Sequence, residues 1–226
     1  MVAIIKKELK SYLLSPIGYI FIGLFILMFG LLFYISVFSS EVTNFEYAFY
    51  DTATILTFVT PVLTMRMFSE ERRNGTEQLV LTSPRSLSSV VLGKFIAAMI
   101  IILITMAFTL VHLLILCYFG SPDLKIAFVT LLGFFLLSAA YTSFGMFASS
   151  VTENQIIACV LTIGVFMAMW FLPSVSDVFS MFSLISMFNS FPSGVIALDE
   201  VIMFVSFTVL FILLTIIVLQ RRKSVG

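Results

Sequence analysis

Charge is scarce in this sequence. Only 11% of the 226 residues are Asp, Glu, Lys or Arg, whereas about a quarter of an ordinary soluble domain is charged. A soluble globular chain of this size is thereby excluded. Histidine occurs once, at His112, and cysteine twice, at Cys117 and Cys159. Such a set supplies neither a zinc-ligand cluster nor a disulfide framework. A phosphate-binding loop is missing as well. The pattern G-x-x-x-x-G-K-[ST] has its nearest echo at Gly93-Lys94, but Phe95 follows the lysine and Ser88 stands in the place of the first glycine. No acid falls in the middle of an apolar run, which argues against a proton-coupled carrier. Net charge is zero and the charges are sorted along the chain, so nothing points to nucleic acid.

What is abundant is hydrocarbon. Hydrophobic residues make up 61% of the chain, with 26 phenylalanines. This composition predicts an all-α polytopic membrane protein. Six spans are expected, at 17–39, 47–68, 90–119, 126–150, 155–173 and 201–220, each near the roughly 20 residues that cross a bilayer. The first run has no charge from Ile17 to Ser39. That exceeds the roughly 7–15 residues of a signal-peptide core, so span 1 is expected to be retained although Val37-Phe38-Ser39 resembles a cleavage site. Pro61 is expected to kink span 2, and Arg66 to snorkel from its inner end to the headgroups.

Charge sorting orients these spans. Eleven of the twelve Lys and Arg residues fall on one side of the layout, and only Lys125 falls on the other. Basic loops face the cytoplasm, so both termini are expected inside, in the cell (inner) membrane. Residues 1–16 carry Lys6, Lys7, Glu8 and Lys10 among apolar residues near helical spacing. Two readings stand: an amphipathic helix lying in the cytoplasmic interface, or a basic flank that only orients span 1. Residues 174–200 are too broken to span and too apolar for a free loop. An outer re-entrant hairpin is expected there, because irregular backbone at membrane depth needs protein or water against it.

Within the spans, His112 is either a proton relay or substrate contact, or a neutral imidazole bonded to a neighbouring helix. Cys117 and Cys159 are expected at opposite faces of a ~30 Å core, too far apart for a disulfide. The small-residue half of span 4, SAAYTSFGMFASS, allows close helix approach in lipid, within the chain or at a dimer seam. In span 5, Met167, Met169, Trp170 and Phe171 either line a greasy path for an amphiphilic substrate or pack the core.

The organising feature is a polar island, Arg66 to Lys94, holding five of the twelve basic residues. Its loop, 69–89, contains a short helix-forming stretch from Glu77 to Leu81. Gly75 and Thr76 are expected to start that helix, with Thr76 as N-cap. Ser83-Pro84 is expected to stop it, since the residue before proline disfavours the helical region. Leu79, Val80 and Leu81 give it apolar surface that its own loop cannot bury. The plainer alternative is a solvated inner loop whose charges serve topology. Arg72 and Arg73 are expected to act mainly on insertion and surface charge.

The run Pro61-x-Leu63-Thr64-Met65-Arg66, then Ser69-Glu70-Glu71-Arg72-Arg73-x-Gly75-Thr76-Glu77, Leu81-Thr82-Ser83-Pro84 and Leu92-Gly93-Lys94-Phe95, resembles the ABC-2 type permease family. It looks closest to the branch containing the gliding-motility-associated permease. The resemblance implies that two six-span permeases pair, the second a copy or a homologue. Each takes a cytoplasmic nucleotide-binding ATPase subunit, which holds the ATP and Mg²⁺; this chain needs no cofactor of its own. It implies an interfacial N-terminal helix and outer re-entrant helices between spans 5 and 6. It also implies that Gly75 to Pro84 is a coupling helix seated in a cleft of the ATPase. The contacts carried over are Gly75, Thr76, Glu77, Gln78, Leu79, Thr82, Ser83 and Pro84, with Glu153 and Asn154 as a smaller second contact. Most members are exporters, and some work with an additional membrane subunit. Their substrates range over lipids, glycans, peptides and drugs, so no substrate transfers. The alternatives are a secondary transporter, for which intramembrane charges are missing, and a non-transporting membrane scaffold, which predicts no dependence on ATP.

Overall fold

Apolar runs of this length have one good solution in hydrocarbon, a helix that satisfies its own backbone. The computed structural model describes residues 1–38, 45–78, 86–174 and 183–225. Among them the order is α1 (Val2–Leu14), α2 (Pro16–Phe33) running into a π-helical turn at Tyr34–Phe38, α3 (Phe45–Thr64) and α4 (Ser69–Arg73). Then follow α5 (Leu87–Phe119), α6 (Leu124–Val151), α7 (Gln155–Phe171), α8 (Leu184–Phe188) and α9 (Leu198–Val225). Among the described residues six helical stretches are long and apolar enough to cross a membrane: Pro16–Val37, Phe45–Arg73, Leu87–Phe119, Leu124–Val151, Gln155–Ser174 and Leu198–Ser224. The protein is an all-α polytopic membrane protein.

Helix ends follow local chemistry. Pro16 opens α2, where its missing N–H is no loss. Ser86, Asp123 and Asn154 cap α5, α6 and α7 by accepting from backbone N–H groups of the first turn, as short polar side chains do. At 33 residues, α5 is about 50 Å long at 1.5 Å per residue. That outruns a ~30 Å hydrocarbon core, so its first turns belong to the polar boundary.

The core is built around α6, which packs on α9, α3, α7 and α5. Its small residues face inward: Ser138, Thr142, Ser143 and Ser149 are fully buried. At Gly145 a methyl would collide with the Thr64 hydroxyl, so glycine there permits the contact between α3 and α6. Of the two readings left open for this half-helix, the structure shows packing within the chain. On the other side of α3 stands a phenylalanine ladder. Phe21, Phe25, Phe29 and Phe33 recur every fourth residue on α2 with successive rings 6.3–6.5 Å apart, and Phe29 meets Phe49 at 4.8 Å. By contrast α7 and α9 leave most of their apolar surface open, which costs nothing in lipid.

Helix α3 runs through Pro61 and gives way at residues 65–68 to a turn before α4. Ser149 of α6 stitches this break. Its Oγ accepts from the N–H of Phe68 at 3.0 Å and of Ser69 at 3.1 Å, and donates to the Met65 carbonyl at 2.9 Å. Among the described residues between α7 and α9 lie short helical turns at Leu172–Ser174, Leu184–Phe188 and Phe191–Ser193. Phe188 and Phe191 are fully buried, against Phe134 and Phe204 respectively. Residues 175–182 of the expected outer hairpin, Phe182 included, lie outside the described residues.

The single histidine has a plain environment. The His112 ring sits edge-on to Phe29 and Phe33, with centroids 5.1 and 4.9 Å away. Among the described residues its buried Nδ1 has no hydrogen-bond partner. Both cysteines are free, near the end of α5 and the start of α7.

Candidate functional site

The charged side chains of the polar island fold onto one end of the bundle, where α3, α6 and α9 finish and α5 and α7 begin. Two ion-paired clusters form there. Each uses residues that sequence patterning treats as ordinary flanking charge.

The first cluster joins α1 to the bundle. Lys94, one to two turns into α5, is 3% exposed. Its Nζ lies 2.9 Å from the Glu71 carboxylate of α4 and 3.2 Å from that of Glu8 on α1, and 5.3 Å from the Phe68 ring centroid. A buried ammonium is tolerated only when paired this way. Beside it, Arg66 lies over the Tyr12 ring at 5.0 Å and donates to the Ser11 carbonyl at 3.3 Å. Tyr12 is itself buried and donates to the Leu63 carbonyl at 3.5 Å. Burial, with the Glu8 carboxylate adding to it, holds the Tyr12 phenol well above its ordinary range. A polar cavity of about 170 Å³ opens among Lys7, Glu8, Tyr12, Arg66, Glu70 and Lys94. Arg66 therefore does not snorkel to headgroups; it is taken by α1. Nor does α1 merely rest on an interface, since its Glu8 and Tyr12 are buried against α3 and α5.

The second cluster surrounds the start of the expected coupling helix. Gly75 has φ +70°, the left-handed region that glycine enters without a Cβ penalty. The Gly75 N–H bonds to the Arg72 carbonyl at 3.1 Å and the Thr76 N–H to that of Glu71 at 2.9 Å. This is the paired pattern of a Schellman close. The Thr76 hydroxyl also donates to the Glu71 carbonyl, at 3.1 Å. Gly75 and Thr76 thus end α4 rather than only starting the next helix, as the sequence suggests. Glu77 and Gln78 are helical, with Gln78 exposed; Leu79, Thr82, Ser83 and Pro84 lie outside the described residues.

Arg72 is the hub. Its Nη2 pairs with Glu153 at 2.7 Å, its Nε stands 3.8 Å from Glu77, and its Nη1 donates to the Val151 carbonyl at 3.1 Å. Arg222 of α9 pairs with Glu77 at 2.9 Å and reaches the same carbonyl at 3.4 Å. The carbonyls of a helix's last turn lack intrahelical donors and carry its negative dipole end, so two guanidinium groups meeting at the end of α6 is sound chemistry. The structure thereby brings two expected contact positions, Glu77 and Glu153, onto one arginine. Asn154 is exposed and caps α7 through its side chain, accepting from the Ile156 N–H at 2.9 Å. The expectation that Arg72 serves mainly insertion and surface charge needs correction, because its side chain joins three segments.

Seven residues of this end were missed as site residues: Glu8, Tyr12, Arg66, Glu71, Arg72, Lys94 and Arg222. A signal existed for Lys94. It lies inside an apolar helix, and an ionisable group there calls for a partner. Glu8, the one acid in Lys6-Lys7-Glu8-Leu9-Lys10, was a candidate for that partner. Nothing in the sequence singles out Arg222 from Arg221 and Lys223.

The expected substrate path is less concentrated. Trp170 and Phe171 stack at 5.6 Å and are 39% and 57% exposed on the bundle's outside. Met167 is half-buried. An apolar groove of about 480 Å³ runs between α7, α8 and α9, lined by Met169, Leu184, Met187, Met203, Phe207 and Phe211. Of the span-5 residues named from sequence, only Met169 reaches it.

Six membrane-crossing helices with a charged end and, among the described residues, no cluster of metal-binding side chains define a multi-pass membrane subunit. The profile of the ABC-2 family transporter proteins matches residues 35–219, more than four-fifths of the chain, and the chain belongs to that family. It is a permease of an ABC transporter, the non-catalytic transmembrane subunit of a family whose members generally work with an ATP-binding partner. No curated protein compared with the chain matches it.

Proposed function

We propose that this permease forms the substrate path of an exporter and is driven by a separate ATPase subunit seated on the charged end of the bundle. That end faces the cytoplasm of the cell in this reading, by the distribution of basic residues. The ATPase partner binds ATP and Mg²⁺; this chain converts its closure into tilting of spans. Two permeases pair, as a homodimer or with a homologue. The motif from Pro61 to Phe95 favours the branch that includes gliding-motility-associated permeases, some of which take an additional membrane subunit.

One observation carries the reading. The segment entering the expected coupling helix, Ser69 to Gln78, is mounted on α1, α5, α6, the α6–α7 loop and α9 through Glu71, Arg72 and Glu77. A push on that segment has a mechanical route into most of the bundle. Gly75, Thr76, Gln78, Leu79, Thr82, Ser83 and Pro84 are the proposed face toward the ATPase, with Asn154 and Glu153 beside them. Apolar area at Leu79 is stabilised on docking by about 25 cal/mol per Å².

The test is purification of the tagged permease from its own membranes, followed by an ATP hydrolysis assay. The wild type is expected to bring ATPase activity with it. Leu79→Asp is expected to insert normally and lose at least about nine-tenths of that activity. Full retained activity in the variant would remove the coupling assignment. Absence of ATPase activity in the wild type would leave the secondary-transporter or scaffold reading.

A further inference from the structure

The three cations that end α9 are not equivalent. Arg221 and Lys223 are exposed, as residues that stop a span in the headgroup region should be. Arg222 is turned inward, its side chain 23% exposed, and spends both terminal nitrogens on protein. Its partners are the Glu77 carboxylate and the Val151 carbonyl. The second already accepts from Arg72, and Arg72 in turn holds Glu153 and stands near Glu77. Every charged group facing Glu77 is thus accounted for among the described residues: Arg222 from α9 and Arg72 from α4.

We infer that Arg222 is a positioning residue for coupling, which holds Glu77, and with it the first turn of the coupling segment, against the ends of α6 and α9. This rests on the ATPase-coupled reading above and deepens it. Glu77 then works within the chain rather than as a contact on the ATPase.

The geometry gives three reasons. Glu77 is the first helical residue after a glycine in the left-handed conformation, so its direction is not set by the helix before it. A planar guanidinium bonding both Glu77 and a helix-end carbonyl fixes direction as well as distance. The pair lies at the junction of three pieces, namely the segment after α4, the α6–α7 loop and the end of α9. A movement of the segment therefore reaches α9 directly, through the Glu77–Arg222 pair.

Charge exchange tests this. The whole complex is purified from its own membranes through a tag on this chain, and ATP hydrolysis and membrane insertion are measured together. Arg222→Glu and Glu77→Arg are each expected to insert normally and to lower hydrolysis about tenfold, the scale of losing a charged hydrogen bond. The exchanged pair, Glu77→Arg with Arg222→Glu, is expected to recover to within about threefold of wild type. Arg221→Glu, one position away, is expected to change nothing. If the reversals do not insert, Arg222→Lys and Glu77→Gln read the same pair more gently, the lysine retaining more activity than Arg222→Gln. A direct readout is cross-linking of the cysteines introduced by Glu77→Cys and Arg222→Cys with a short bifunctional thiol reagent, expected to join them, since two long side chains in contact hold their Cα atoms beyond the roughly 7 Å of a disulfide. Hydrolysis unaffected by the single reversals, or not restored by the exchange, overturns the inference while the ATPase-coupled reading stands. A wild-type complex without hydrolysis overturns both, whatever the cross-link shows of the pair's proximity.

Discussion

Lys94 and Arg72 sit at the same end of the bundle and each approaches two carboxylates, in opposite surroundings. The Lys94 side chain is 4% exposed, between Glu8 and Glu71. Arg72 holds Glu153, which is 63% exposed, and stands beside Glu77. A buried pair has already given up its water, so breaking it strands a charge and is expensive. A pair in water exchanges one partner for another at little cost. The first cluster is therefore a fixed joint that binds α1, α4 and α5 into one body. In the second, the Arg72–Glu153 rim can open and remake its contact, while Glu77 and Arg222, 19% and 23% exposed, stay paired.

The largest test of this contrast is removal of the buried cation. Lys94→Met is expected to lower stability by about 3 kcal/mol, because the buried Glu8 and half-buried Glu71 carboxylates are left with only the exposed Lys7, 3.8 Å from each. Thermal unfolding of the detergent-solubilised protein measures it. Adding Glu8→Gln and Glu71→Gln is expected to recover most of the loss, since amides carry no charge to strand. An equal loss from Arg72→Met would erase the distinction between the two joints.

A smaller effect follows from Tyr12, the buried phenol under Arg66. Its folded pKa is raised above the ordinary 10.0, chiefly by burial. The folded state therefore keeps the proton after the unfolded chain has lost it. The stabilisation is complete below pH 10 and is lost as pH rises beyond it, by up to about 1.4 kcal/mol per pH unit. Tyr12→Phe is expected to flatten this alkaline decline relative to wild type, read by chemical or thermal unfolding between pH 9 and about 11. A wild type and variant with the same alkaline slope would show that α1 is loosely seated.

The smallest effect is expected at the exposed rim. Glu153→Gln should cost less than about 1 kcal/mol, and that cost should shrink in high salt as screening replaces the lost pair. The Lys94 cluster should respond little to the same salt. A salt-independent loss at Glu153 would place the second joint among the buried ones.

How much of this was legible beforehand depends on the length scale of the physics. Crossing a bilayer needs about 20 apolar residues, a demand met along the chain itself. The class of protein and its six crossing helices could therefore be read from Ile17 to Gln220 without coordinates. The polar island stood out for the same reason, as the one long stretch too charged to cross. The resemblance carried by Pro61 to Phe95 named the family now matched over residues 35–219. Lys94 was half legible, as a cation inside an apolar helix, but its partner Glu8 lies 86 positions away.

Sequence by itself determined where this chain enters and leaves hydrocarbon, because each helix meets that requirement through its own composition. Tertiary structure alone decided what each boundary charge does. Arg66, Lys94 and Arg222 all look like cations that mark the edge of a membrane, and all three are turned into the protein. Arg221 and Lys223 carry the same charge one residue away and face outward. A single position on a helix is about 100° of rotation, enough to exchange water for a carboxylate. That rotation is set by the packing of α9 on α6 and of α1 on α5, contacts between segments far apart along the chain, so no local pattern specifies it.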